Sequence, residues 1–395
     1  MSIPGMARAA ASLAVFSALL WSFLSPRAHT ASIFYKNAPA RFQEISNIPN
    51  PTIKFSDRIR SCEDVILVES RGLAILGCDP GRERWNTVMG IFEPDPVANG
   101  DLYLYDYSKN DELLQFKFVD FKYQTNFHTL GMAYDEHTST LFVANHRRHE
   151  HPAIEMFKLD LEHQTATHQG SIQHPLIHGP NSITLINDHE LMVTNNNYFL
   201  IRDNWLLNRI ETYLALPLGS VVHVDFAALL KNPDASADAK VITRLPFANG
   251  IEMINETAFA VASSTLGSVH TFDLATSKEL SRFKVPFHPD NLSLSKDGAL
   301  FVAGHPHMPT LVAFTESRHI CNDPIELSKA DAKTQEACKT LSAPSWAVKW
   351  TEAGGVEHLY ASTEYPSSAT VVFDATSGKG MIAGLYAKGI LVWGA

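Results

Sequence analysis

Glu63, Asn181, Asn249, Asp290 and Asn291 are the residues of this chain whose types and spacing could do chemistry together. Each opens a short alternating apolar run: Glu63-Asp64 precedes VILV, Asn181 precedes SITLI, Asn249 precedes GIEMI, and Asp290-Asn291 precedes LSLS. Two carboxylates and three carboxamides, brought to one point, form an all-oxygen donor set with no sulfur. Such a set suits a hard divalent cation, and Ca2+ accepts this mixture more readily than Mg2+, which demands a tighter octahedral shell. Taken singly, an Asn or Asp at the start of a strand is ordinary turn chemistry. Their recurrence on one repeated unit is what selects the metal.

The repeat that must position them is a hairpin. After Asn249 the chain reads GIEMI, then a turn at Asn255-Glu256-Thr257, then AFAVASS, which ends in small polar residues. The same plan starts at Glu63, His128, Asn181, Asp290 and, most weakly, Ser345 before WAVKW. A hairpin-bearing unit recurring at roughly 40 to 70 residues reads as a propeller blade. The fold predicted is therefore all-β, a six-bladed β-propeller whose innermost strands surround a calcium-binding tunnel. An N-terminal hydrophobic helix and a short lid-like helix are added to it. The predicted organisation is residues 1–30 as signal peptide or signal anchor, 31–61 as an N-terminal segment, and 62–395 as the propeller, with 317–343 inserted between blades.

Composition excludes some partners. The net charge is -10, and no cluster of Lys and Arg offsets it, so nucleic acid is not expected to bind. The apolar run 9–24, preceded by Arg8, lies between a signal-peptide core and a full membrane span in length. Either way it predicts entry to the secretory pathway, the chain being cleaved near Ala28 to Ala31 or anchored. Four cysteines fit an oxidising compartment. Cys62 and Cys78 lie symmetrically about Ser70, the centre of the first hairpin, and should face each other. Cys321 and Cys338 bracket the insertion, and a bridge closing such a loop contributes about 3 kcal/mol. Asn255 heads a glycosylation sequon in a predicted exposed turn. Residues 201–216 carry apolar side chains at helical spacing, and a helix there would form a lid or a membrane-facing surface. The charged run from Arg147 to His151 reads as a solvated loop.

With these motifs in hand, residues 62–386 resemble the paraoxonase/arylesterase family of calcium-dependent lactonases. Glu63-Asp64, His128 with Asn145-His146, Asn181-Ser182-Ile183 with Thr194-Asn195, Phe247 to Ile251, Asp290-Asn291 and Gly304-His305-Pro306 match in order. The resemblance implies two ions in the tunnel. Glu63, Asn181, Asn249, Asp290 and Asn291 would hold the catalytic one. Asp64, the Leu130 carbonyl and Ser182 would hold the second, but Ser182 stands where the family has an aspartate. The family also ties its N-terminal region to its last residues by a disulfide; this chain ends in Leu391-Val392-Trp393-Gly394-Ala395, so closure must rest on strand pairing.

The function implied is hydrolysis of lactones or related esters. The ion would polarise the carbonyl. His128 would act as general base, since imidazole titrates near neutral pH; His146 would orient it or relay its proton, and His305 would contact substrate. Two rivals stay open: a strictosidine-synthase-like propeller doing a non-hydrolytic step, and a binding propeller whose ion is structural.

Overall fold

The computed structural model describes residues 27–394, together with Ser17, Trp21, Ser22, Leu24 and Ser25. Its strands form six blades, antiparallel throughout except that Lys117–Val119 pairs parallel with Thr165–Ile172 at the edge of the second. Their innermost strands are, in order, Cys62–Val68, Thr129–Asp135, Pro180–Leu185, Ala248–Asn255, His288–Leu294 and Ser368–Asp374. Each touches the next and the last touches the first, so the ring is closed. Blades stack face to face, which is why second strands such as Ala258–Ser263 and Leu300–His305 are buried along their whole length. The outer strand Glu279–Lys284 has one face to water and is correspondingly charged and exposed.

One irregularity recurs in all six blades. Each innermost strand breaks register with its neighbour within its first few residues: between Cys62 and Asp64, Thr129 and Met132, Pro180 and Ile183, Ala248 and Ile251, Pro289 and Leu292, and Ser368 and Thr370. Side chains of a regular strand alternate between faces, so two consecutive residues cannot both face one axis. A bulge suspends that alternation and re-aims its residues. It therefore lets Glu63 with Asp64, and Asp290 with Asn291, line the tunnel together. Gly250 sits in one of these bulges because a Cβ there would meet Asp290 O and Asn291 Cα at 2.6 Å.

Closure follows strand pairing. Thr52–Lys54 pairs antiparallel with Ile390–Trp393 and completes the sixth blade from the N-terminal side. Ile45–Ser46 adds a fifth strand to the fifth blade. Residues assigned to a segment preceding the propeller are thus part of it. The sixth blade also lies elsewhere than the sequence suggested. Ser345–Thr351 is the third strand of blade five, paired with Leu300–His305, and the innermost strand of blade six is Ser368–Asp374.

The insertion is helical and interrupts blade five rather than joining two blades: Met308–Cys321, Pro324–Lys329 and Ala332–Thr340 lie between its second and third strands. Its Cys321–Cys338 bridge is formed, as is the Cys62–Cys78 bridge between directly opposed residues of the first hairpin. The run after His146 is not solvated throughout. Arg147 is fully buried, paired with the buried Glu155 at 2.7 Å.

Two helices roof one end of the tunnel. The first, 27–36, is docked by His29 Nε2 to the carbonyls of Gly267 and Val285 (3.1 and 3.0 Å) and by the Thr30 hydroxyl to Thr265 O. The predicted boundary at residue 30 therefore falls inside a helix built onto the propeller, while most of the apolar run 9–24 lies outside the described residues. Among the described residues no helix is long and apolar enough to cross a membrane. The second helix, Trp205–Tyr213, inverts the usual arrangement. It buries Asn208 and Glu211, whose carboxylate accepts from the Tyr198 and Phe199 amides, and exposes Trp205, Leu206, Ile210 and Tyr213.

Candidate metal centre and substrate cavity

All five expected oxygen donors reach the tunnel end and are buried. The nitrogens of Asn249 and Asn291, one oxygen of Glu63 and both oxygens of Asp290 are tethered. Asn249 Nδ2 donates to Asp290 Oδ1 at 2.6 Å, Asn291 Nδ2 to Glu63 Oε1 at 2.8 Å and to Thr370 Oγ1 at 2.9 Å. Four oxygens are left buried with no partner: Glu63 Oε2, Asn181 Oδ1, Asn249 Oδ1 and Asn291 Oδ1. Each such atom costs about 1 to 3 kcal/mol if nothing satisfies it. Burial first, then the neighbouring Asp64 and Asp290, push the Glu63 carboxyl well above its usual range. Orphaned oxygens and crowded carboxylates on one axis are what a cation would relieve, so these residues fit Ca2+. Among the described residues no group of three or more His, Cys, Asp or Glu side chains gathers for a metal, so the donor set is distinctive in its carboxamides.

The second set does not fit an ion in the same way. Asp64 Oδ1 accepts from the Val65 amide and Thr370 Oγ1, and Oδ2 accepts from the Met132 amide at 2.7 Å. Ser182 Oγ accepts from the Ile251 amide, and neither side chain is left with an unpartnered buried oxygen. Asp64 finds its partners in backbone and Thr370, not in a histidine or Ser182. Burial still raises it to about 6. Calcium titration by calorimetry should show one tight site, and Ser182→Asp should add a second; two tight sites in the natural chain would overturn this.

Below Asp64 the tunnel holds a carboxylate the sequence reading did not single out. Glu252 accepts from the Met253 amide at 3.0 Å, touches solvent-sized space yet is surrounded by protein, and burial raises it to about 8. Its folded pKa lies above the ordinary carboxyl value of about 4.3. As pH rises between those values the unfolded chain releases the proton while the folded chain keeps it, so stability falls over that window. Glu252→Gln should therefore melt higher than the natural protein at pH 8.5 and differ little from it at pH 4. Equal melting points at pH 8.5 would show that Glu252 ionises freely.

The imidazoles are distributed differently from expectation. His128 Nδ1 is held by the buried Asp79 carboxylate at 3.2 Å; the His146 amide donates to the His128 carbonyl at 2.9 Å, but no hydrogen bond joins the two rings. His146 instead contacts Thr87 Oγ1 and the Pro180 carbonyl, and burial lowers it to about 4. His305 Nε2 bonds Asp290 Oδ2 at 2.9 Å, leaving Nδ1 buried and unpartnered. Above the donors lies a cavity of about 330 Å3, walled by Val88, Met89, Leu130, Phe247 and Leu311 and by His305, but not by His128. The helix 27–36 closes over it with Phe34. Asp79, like His146, Ser264 and His305, ends or follows the second strand of its blade. That repeated position was the available signal for it.

A family model of the arylesterases matches residues 88–328, more than half of the chain. The chain belongs to the arylesterase family. Among curated proteins, human serum paraoxonase/arylesterase 2 is 26% identical to this family member over 186 residues, 46% of this chain and 49% of the human protein. The canine protein of the same name is 25% identical over 279 residues, 67% of this chain and 72% of its own. The chain thus spans about half the length of the human relative it matches. The periplasmic gluconolactonase of Pseudomonas aeruginosa superposes with a TM-score of 0.45 at 11% identity, covering 81% of this chain and 77% of that one. That likeness is too distant to add to the strand pairing already described for this chain.

Proposed function

We propose that this protein is a calcium-dependent hydrolase of lactones or related esters. The observation that carries the reading is the set of four unpartnered oxygens on the tunnel axis, at the floor of a mainly apolar cavity. When bound, Ca2+ would supply Lewis-acid polarisation of the substrate carbonyl. The chain's own residues do the rest. Glu63, Asn181, Asn249, Asp290 and Asn291 fix where the reacting carbonyl sits. The apolar wall holds the hydrocarbon part of the substrate and excludes water. Asp79 holds the Nδ1 proton of His128, which leaves Nε2 to accept a proton from water. A second assignment of the base is supported by His305, which lines the cavity and has its Nδ1 free beside the donors. His146, lowered by burial, serves as a neutral neighbour rather than a proton store.

The purified calcium-loaded protein should turn over members of a panel of lactones and aryl esters. Binding without turnover across that panel would favour a binding propeller. The two disulfides and the exposed sequon at Asn255 support life in the secretory pathway. The exposed Trp205, Leu206, Ile210 and Tyr213 beside the cavity roof support a lipid-facing surface. Cosedimentation with phosphatidylcholine vesicles should fall when Trp205 and Tyr213 are both replaced by serine.

A further inference from the structure

We propose that Arg82 is the docking point for a carboxylate carried by the substrate, an inference that rests on the hydrolase reading of the same cavity. Arg82 lies in the short turn of helix Pro80–Glu83, is 3% exposed, and lines the cavity with Glu63 and Asn181. Its Nη2 donates to the Thr129 carbonyl, while Nε is buried with no partner. No carboxylate forms an ion pair with it among the described residues. The adjacent Glu83 is turned away and taken by Arg60 at 2.9 Å and by Asn322 Nδ2 at 2.7 Å. Glu63 lies near enough to feel its charge but gives Oε1 to Asn291 and makes no bond to the guanidinium.

A buried guanidinium with an unused donor is costly unless something satisfies it. A planar carboxylate is the matching acceptor, because the guanidinium fork presents parallel N–H groups to its two oxygens. The cavity's own carboxylates, Glu63 and Asp290, both belong to the candidate metal centre. Arg27 and Arg209 line the wall as well, so three arginines stand against two carboxylates there. The cavity therefore has a sign opposite to the net charge of -10 on the chain, which favours an anionic ligand over a neutral one. Val88, Met89 and Leu130 share the wall with Arg82. The substrate that fits is an ester or lactone whose hydrocarbon segment separates the reacting carbonyl from a carboxylate.

Monomethyl adipate and dimethyl adipate differ in that one charge, and 6-methoxyhexanoate has the carboxylate without an ester. With the full calcium-loaded chain, KM for the monomethyl ester should be about 10- to 100-fold below that for the dimethyl ester, the range for a charge-assisted pair. Calorimetry should show 6-methoxyhexanoate binding to the natural protein. Arg82→Gln should erase both the KM preference and that binding. Arg82→Lys, which keeps the charge but not the fork, should retain part of each, and both variants should keep a cooperative thermal transition. An equal loss of kcat on both esters in Arg82→Gln would overturn the proposal, since Arg82 would then assist the reaction itself. So would displacement of 6-methoxyhexanoate by inorganic phosphate binding more tightly than it. If neither ester is turned over but 6-methoxyhexanoate binds through Arg82, the hydrolase reading falls and the anion site stands. Ester turnover with no binding of that probe sinks the anion site alone.

Discussion

Exhaustive chelation of the purified protein is expected to abolish its hydrolysis of esters and to lower its melting temperature by on the order of 5 to 10 °C. Without a cation, Glu63 and Asp290 face one another among three carboxamides, and four buried oxygens lack any partner. Burial first, and then repulsion from Asp64 and Asp290, favours the protonated form, which is why the Glu63 carboxyl is pushed well above its usual range. An ion present at about a thousand times its Kd stabilises the folded chain by about 4 kcal/mol. Calcium affinity should accordingly fall in acid, where a proton competes for Glu63. Activity and melting temperature both unchanged after chelation would remove the metal from the mechanism and leave the orphaned oxygens to ordered water.

His128→Gln is expected to lower kcat by roughly 100-fold or more, the range for loss of a general base, with calcium affinity nearly unchanged. Asp79→Asn should lower kcat less and shift the pH profile, because the amide can no longer hold the ring as its Nδ1–H tautomer by accepting alone. His146→Gln should cost least, since that ring has no bond to His128. His305→Gln is the informative comparison. His305 bonds Asp290, so its loss should weaken calcium binding as well as turnover. Near-full activity in His128→Gln, with activity lost in His305→Gln at saturating calcium, would move the base to His305.

The alternation that marks the hairpins in the sequence has a limit. WAVKW reads the same in an innermost strand as in a third strand, so Ser345 passed for an anchor. The true start of blade six offers Ser368 and Ala369, neither of which resembles the donors that mark the other blades. The charged run after His146 misled for a related reason. Arg147 is buried because Glu155, Ser171 and Tyr123 surround it from other segments, and sequence order gives no hint of them.

Sequence by itself determined the kind of chain this is: five of the six blade-opening hairpins, five oxygen donors at strand starts, and two cysteine pairs each close enough in sequence to find its partner. Those features are local, and a local pattern survives without knowledge of what packs against it. Tertiary structure alone decided the rest. It brought Thr52–Lys54 to Ile390–Trp393, set Asp79 against His128 across 49 residues, and aimed Arg82 at a cavity walled by distant strands and helices. It also made the donors a site, because the bulges that turn consecutive residues to one axis are defined by pairing with a neighbouring strand. A pairing register is a property of two segments at once, and no single stretch of sequence contains it.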